Sequence, residues 1–264
     1  DGSLLAATAP KPVGGYTETI LRLIDLVFQA VAQIAPERSN GCAYGTINAL
    51  SIAGHYSGER GASGERWVMF SFFGGGHGGH PNGDGLNHGN APISTATIPP
   101  LEILEAAYPV KFTQRALRPD SGGPGRHRGG LGAIYEIELL EEEATAFLFG
   151  DRGKFAPRGV VGGGEAAMTR FTFPKDGAPT SPPLAAKIVD VRLKRGDRLR
   201  LETPGGRGYG DPARRERKAI RRDLDILSSQ RSGTGGSGFG TTIDPSATVH
   251  ASTVLESDKG HIVI

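Results

Sequence analysis

Apolar residues recur most regularly near the start of the chain. Ile20, Ile24, Val27, Phe28, Val31 and Ile34 fall at i, i+4, i+7, i+8, i+11 and i+14, which is one face of an amphipathic helix. Leu21, Leu23 and Leu26 widen that face, so the pattern predicts a long helix buried on more than one side. Thr17 is placed to cap it, Glu18 to oppose its dipole and Pro36 to stop it. Residues 40–56 read as strand or loop. The β-branched and aromatic run 66–73 predicts a strand. Residues 101–107 form a short helix before Tyr108-Pro109, and 110–117 a further strand. Segments 134–140 and 144–149 alternate apolar and polar and read as paired strands. Segments 187–193 and 197–203 alternate likewise and flank Lys194-Arg195-Gly196, which predicts a hairpin with one wet face.

The charged stretch 214–227 reads as a helix, its arginine and lysine cluster 214–222 being a solvated face. Residues 1–15, with Pro10, Pro12, Gly14 and Gly15, are expected to be irregular. The Ser/Gly-rich tail 228–264 is expected to be mobile. Within it, 243–254 faintly suggests one turn of a hexapeptide β-helix, which could not bury its own face. The fold class expected is α+β: sheet-rich, with a long buried N-terminal helix, glycine-rich loops and a mobile C-terminal tail.

Composition narrows the partners. The 264 residues carry a net charge of only +2, and no basic run interleaves with aromatics, so nucleic acid is not an expected partner. No apolar stretch reaches bilayer-spanning length and no signal peptide opens the chain, so a membrane is not expected either. The single cysteine, Cys42, excludes an internal disulfide and fits a cytoplasmic protein. With no base near it in sequence, Cys42 reads as a buried, inert thiol. The opening Asp1-Gly2-Ser3 lacks an initiator Met and reads like the middle of a protein.

Glycine is where the chemistry gathers. Seven of the residues from 74 to 85 are glycine, a density that serves close backbone approach or positive φ. His77, His80, Asp84, Asn87 and His88 share this loop. They could hold a divalent metal, form the hydrogen-bonding wall of a site, or be an ordinary polar loop; the spacing x2, x3, x3 fixes no geometry. A second glycine-rich loop, 118–132, carries Asp120, Ser121, Arg126 and Arg128. Ser121 lacks the strand–turn–helix setting of a nucleophile elbow, whereas Arg126 and Arg128 could bind a carboxylate or phosphate. Residues 159–164 form a third glycine cluster. Residues 205–210 lack the lysine of a phosphate loop and read as a turn that lets Tyr209 pack.

Four ordered motifs carry a resemblance. Gly74-Gly75-Gly76-His77-Gly78-Gly79 with Asp84-Gly85, then Ile98 to Glu105 ahead of Tyr108-Pro109, then Leu117 to Gly125 with Arg128 to Gly132, and last Thr203 to Pro212 are similar to the hydantoinase B/oxoprolinase family. That family includes B subunits of N-methylhydantoinases, 5-oxoprolinases and acetone or acetophenone carboxylases. The resemblance implies that residues 1–227 are the C-terminal half of a hydantoinase B-like subunit. The activity implied is ATP-dependent hydrolysis of a cyclic amide, with ketone carboxylation as the alternative. A structural assembly segment without catalytic residues is the second alternative.

The implied partners are a hydantoinase A-like subunit, which binds ATP and Mg2+, and the N-terminal half of the B subunit, which carries the divalent metal. Many members hold another residue where His77 and His80 stand, so no metal is expected on this chain. The candidate catalytic residues are His77, His80 and Asp84; the candidate substrate contacts are Asn87, Asp120, Arg126 and Arg128. Strands 67–73 and 110–117, if parallel neighbours, would open both glycine loops onto one pocket.

Overall fold

The computed structural model describes residues 6–11, 16–94 and 97–232, with side chains left aside at 16–17 and 226–232. Thr17's capping role, the tail beyond Ser232 and the β-helix turn lie outside the described residues. Three α-helices and nine strands are present among those described: α1 (Tyr16–Ile34), β1 (Ala49–His55), β2 (Arg66–Phe72), α2 (Leu101–Ala107), β3 (Val110–Leu117), β4 (Ala133–Leu139), β5 (Glu143–Phe149), β6 (Arg170–Lys175), β7 (Ala178–Thr180), β8 (Lys187–Lys194), β9 (Arg198–Glu202) and α3 (Arg217–Ser232). The sheet-rich α+β class is as expected. Helix α3 continues past 227 into the stretch expected to be a mobile tail.

Every strand pairing is antiparallel, in two sheets of order β2-β1-β5-β8 and β3-β4-β9-β6-β7. Their facing sides make one core. Leu50, Ile52, Trp67, Met69, Leu148 and Leu193 come from the first sheet; Tyr135, Ile137, Phe171, Phe173, Leu199 and Leu201 come from the second. Alternation sets which side chains enter it: β2 and β5 bury every second residue.

Three expectations about pairing are corrected. β4 and β5 are not partners; β4 lies between β3 and β9, and β5 between β1 and β8. β8 and β9 do not form a hairpin, because the turn at Gly196, φ 85°, carries the chain from one sheet to the other. β2 and β3 are in different sheets, so the glycine loops do not extend from parallel neighbours. Alternation names the buried face of a strand and leaves its partner open.

Helix α1 is also corrected. It is amphipathic but sits with its polar side inward: Glu18, Leu21 and Asp25 are buried, while Leu26 and Val27 are 60% exposed and Ile34 88%. Leu21 alone of its apolar residues is fully covered, against Tyr44, Ile47 and Ala49. The outer face of the first sheet is apolar too. Val68, Phe70, Phe72, Phe147 and Phe149 are exposed, and small residues separate them, since Ala49 pairs with Phe72 and Phe149 and Ser51 with Phe70 and Phe147.

A third layer has no regular strands. Segments 41–44, 74–89, 121–132, 160–164 and 204–210 lie side by side and exchange single backbone bonds with changing neighbours. Gly76 N donates to Pro204 O, His77 N to Leu86 O, Gly79 N to Arg207 O, Gly130 N to His77 O and Gly206 N to Gly130 O, all within 2.7–3.0 Å. Segment 205–210, expected to be a turn, is an extended buried member of this bundle. The glycines serve close approach rather than unusual φ: none from Gly74 to Gly79 has a positive φ. A Cβ on Gly206 would stand 1.8 Å from His77 O, and one on Gly76 1.8 Å from Gly130 O.

Gly206→Ala is therefore expected to destabilise the chain by about 3 kcal/mol, because backbone cannot be displaced as a side chain can. At Gly83 a Cβ would meet only the His80 ring at 3.4 Å, and Gly83→Ala should stay within about 0.5 kcal/mol. Chemical denaturation of both variants checks the pair; equal losses would refute close approach as the reason for glycine.

Candidate functional site

The two glycine-rich loops meet through this bundle. Gly85 N donates to Arg128 O at 2.8 Å, His88 N to Leu131 O at 2.7 Å and Gly130 N to His77 O at 2.7 Å. The contact joins Asp84, Asn87 and Arg128 into one charged network with two residues from the C-terminal segment. Asp84 takes both forks of Arg215, each at 2.8 Å, and the Arg128 backbone N–H at 2.9 Å. Asp223 of α3 takes Arg128 Nε at 2.7 Å and Arg215 Nη2 at 2.7 Å. Arg128 Nη1 donates to Asn87 Oδ1 at 3.0 Å, and the same oxygen takes Leu131 N–H at 2.9 Å. Burial raises the proton affinity of Asp84, but the hydrogen bonds and charge of Arg215, with Arg128, outweigh it and hold the carboxyl below its ordinary value.

Arg215 and Asp223 were not legible as site residues. Arg215 belongs to the cluster expected to be a solvated helix face, yet its side chain is 9% exposed and it lies before α3 begins.

The other candidates fall into two groups. His77 and His88 hold the fold. His77 Nε2 bonds Asn90 O at 2.7 Å. His88 bonds the Tyr135 hydroxyl, and burial, then the nearby Arg115, lowers its pKa to about 4, so it is neutral at pH 7. Ser121 Oγ donates to Arg118 O and accepts from Gly132 N, fully buried. His80, Asp120 and Arg126 lie at the rim. His80 is half-buried, with Nδ1 accepting from Asn82 N at 3.3 Å. Asp120 and Arg126 are exposed, and Asp120, at φ 53°, stands apart from the network. His127, not a candidate from sequence, joins this rim; burial and Arg126 lower its pKa while Asp84 opposes them.

Among the described residues no group of three or more His, Cys, Asp or Glu could hold a metal ion. In loop 77–88, His77 is engaged with Asn90, Asp84 with Arg215 and His88 with Tyr135; His80 is bonded to none of these, and one remaining imidazole does not make a metal site. A cleft of about 1410 Å³ lies elsewhere, beside the first sheet, lined by His55, Arg66, Glu143, Asp176, Arg192 and others. It shares none of the candidate residues.

A second charged cluster lies under α1. Asp25 is bonded by Arg152 Nη2 and lies 3.4 Å from Arg22 Nη1. Arg207 is buried near them, and its Nε and Nη1 have no hydrogen-bond partner. Cys42 Sγ sits between Gln29 Nε2 and Asp25 O; burial, with Asp25 adding, pushes its pKa to about 12, so the thiol is inert as expected.

Residues 1–212 match the family described as hydantoinase B/oxoprolinase. The chain belongs to that family. An uncharacterized protein of Methanocaldococcus jannaschii is 34% identical over 216 residues, 81% of this chain and 36% of that protein. The caprolactamase subunit beta of Pseudomonas jessenii is 30% identical over 237 residues, 84% of this chain and 39% of that subunit. The nucleotide-free structure of acetone carboxylase shares the fold, with TM-score 0.61 and 22% identity over 75% of this chain and 31% of that one. The chain thus spans little more than a third of the length of the two sequence relatives, and 31% of the acetone carboxylase chain.

The Asp84 clamp has a defined pH dependence. A folded-state pKa below the ordinary carboxylate value contributes stability that is present above about pH 4 and lost as pH falls through the folded value. Asp84→Asn should cost about 2 kcal/mol at pH 7, and the gap to the parent chain should close as pH falls below the ordinary carboxylate value of about 4. Denaturant titrations at several pH values measure this; a gap that widened on acidification would contradict the clamp.

Proposed function

We propose that this chain is the glycine-rich part of a B-type subunit in a cytoplasmic, ATP-dependent complex that hydrolyses a cyclic amide. The observation that carries the reading is the family match over residues 1–212, joined to 30% identity with a subunit named for caprolactam, a ring amide. A hydantoinase A-like partner would bind ATP and Mg2+ and supply phosphoryl activation of the ring oxygen. The divalent metal would lie on the remainder of the B-type fold, since the residues here do not fit one.

Within this reading the candidate residues divide by their bonds. Asp84, Asn87 and Arg128, clamped by Arg215 and Asp223, are positioning residues that fix both loops. His77 serves the same end through Asn90. His80, with His127 and Arg126 near it, keeps polar atoms available to a substrate or to a partner segment, while Asp120 stands apart from them. A mixed set of imidazole and guanidinium groups can steady an anionic intermediate by charge-assisted hydrogen bonds.

The outer face of the first sheet would receive the rest of the B-type fold. Nearly two thirds of the relatives' length lies outside the match, and five exposed Phe and Val side chains form a patch of the kind that marks an interaction surface. That face equally favours a second reading, in which the chain serves assembly alone.

Two measurements separate the readings. In the purified complex, a lactam or hydantoin with ATP should yield the ring-opened acid without bicarbonate; product that forms only with bicarbonate and retains its carbon would favour the ketone carboxylase alternative. His80→Ala should lower kcat at least about 10-fold with the complex intact, whereas Phe70→Asp with Phe147→Asp should abolish association while the isolated chain stays folded. Full activity of the His80 variant, with loss only on disassembly, would leave the assembly reading standing.

A further inference from the structure

We propose that Arg22, Arg152 and Arg207 form a binding site for a small oxyanion, a phosphate or carboxylate group, beneath α1. The inference is independent of the reaction proposed above.

The three guanidinium groups converge from three distant parts of the chain. Arg22 and Asp25 lie one turn apart on α1, Arg152 follows β5, and Arg207 belongs to the glycine bundle. Asp25 binds Arg152 and Arg22 through one nitrogen of each and leaves three of their other nitrogens unpartnered. Arg22 Nε and Nη2, Arg152 Nε, and Arg207 Nε and Nη1 are all buried with no hydrogen-bond partner. Arg207 is 2% exposed. A buried guanidinium is stable only when paired and hydrogen-bonded, and the protein's own anions do not meet that need. Cys42 remains a neutral thiol. Asp151 is bound by Lys187. Glu18, one turn before Arg22, takes the Ile47 N–H at 2.7 Å and the Thr46 hydroxyl at 3.1 Å on Oε1, and its Oε2 bonds none of the arginines. Among the described residues, three guanidinium groups therefore meet one carboxylate that hydrogen-bonds them, Asp25, with Glu18 beside Arg22 but unbonded to it.

The backbone makes room for the head groups. Gly45 crosses over them at φ 65°, and a Cβ there would lie 2.6 Å from Arg22 Nη2, 2.9 Å from Asp25 Oδ2 and 3.0 Å from Arg152 Nη2. Glycine is needed both for the positive φ and for the approach. Arg22, whose side chain is 29% exposed, gives access from solvent. Forked, permanently charged donors suit the paired oxygens of carboxylate and phosphate. Arg126 and Arg128, the arginines that the sequence singled out for such a ligand, are not the unpaired ones: Arg128 is held by Asp223 and Asn87, and Arg126 stands exposed at the rim.

The test titrates inorganic phosphate, and separately acetate, into the full chain by calorimetry and thermal unfolding, against chloride at matched ionic strength. The expected result is saturable one-to-one binding with a rise in Tm, phosphate and acetate distinguishing a tetrahedral from a planar preference. Arg207→Gln should weaken binding at least 10-fold, Arg207→Lys less, and Arg38→Gln, at an exposed arginine, not at all. Should Arg207→Gln fail to fold, Arg22→Gln at the solvent side replaces it. Neither anion exceeding chloride, or unchanged binding in the Arg207 or Arg22 variants, would overturn the site.

Discussion

Backbone laid on backbone is the constraint on which this molecule depends. In the sandwich, side chains set the spacing of layers; in the glycine bundle the absence of side chains does. Carbonyl oxygens of His77, Gly130, Pro124 and Ser121 each occupy the place where a Cβ of a facing glycine would be. Segments that close can bond main chain to main chain from several directions, so the buried N–H and C=O groups are paired without a ladder. The bundle is tied to the sandwich at β2, which runs into it through Phe73, and at β9, which runs into it through Thr203 and Pro204. Loops built this way are tied by backbone hydrogen bonds on several sides, which is how a stretch so rich in glycine can place Asp84 and His80.

The local elements were legible because each rests on a local pattern. Period 3.6 marked α1, period 2 marked β4, β5, β8 and β9, and β-branched and aromatic content marked β2. What those patterns omit is the partner. β4 and β5 are separated by a short connection, as are β8 and β9, and both connections cross the core instead of reversing within a sheet. Helix α1 shows the same omission in another form. Its apolar stripe is real, but Glu18 and Asp25 turn inward because Ile47, Thr46 and Arg152 supply hydrogen bonds that solvent would otherwise provide. Those bonding partners are distant in sequence and leave no trace in its period.

The site was legible in a similar proportion. Glycine motifs in order were enough for the family, and Asp84 and Arg128 do meet. Their chemistry was not legible, because it is decided by Arg215 and Asp223, which sit among many charged residues and look no different from them. Arg207, whose Nε and Nη1 find no hydrogen-bond partner, is a single residue in a stretch read as a turn. A sequence displays which groups are charged; only the fold displays which charges have been answered.

Saturated and unsaturated polar groups therefore separate two roles within one chain. Asp84 accepts three hydrogen bonds from the protein, and its carboxylate is held ionised by charges that would have to be given up before it could move a proton. A group so placed stabilises geometry at the expense of reactivity. Groups with unused donors, Arg207 and Arg22 in the interior and His80 at the rim, are the ones with binding capacity left. The apolar faces of α1 and of the first sheet extend the same logic to surface area: polar valence is unfilled beneath α1, and apolar surface is uncovered above it and on the sheet beside it. Unfilled polar valence and uncovered apolar surface thus lie on opposite sides of α1, which is why the proposed anion and the proposed remainder of the fold would each add what this polypeptide does not supply itself.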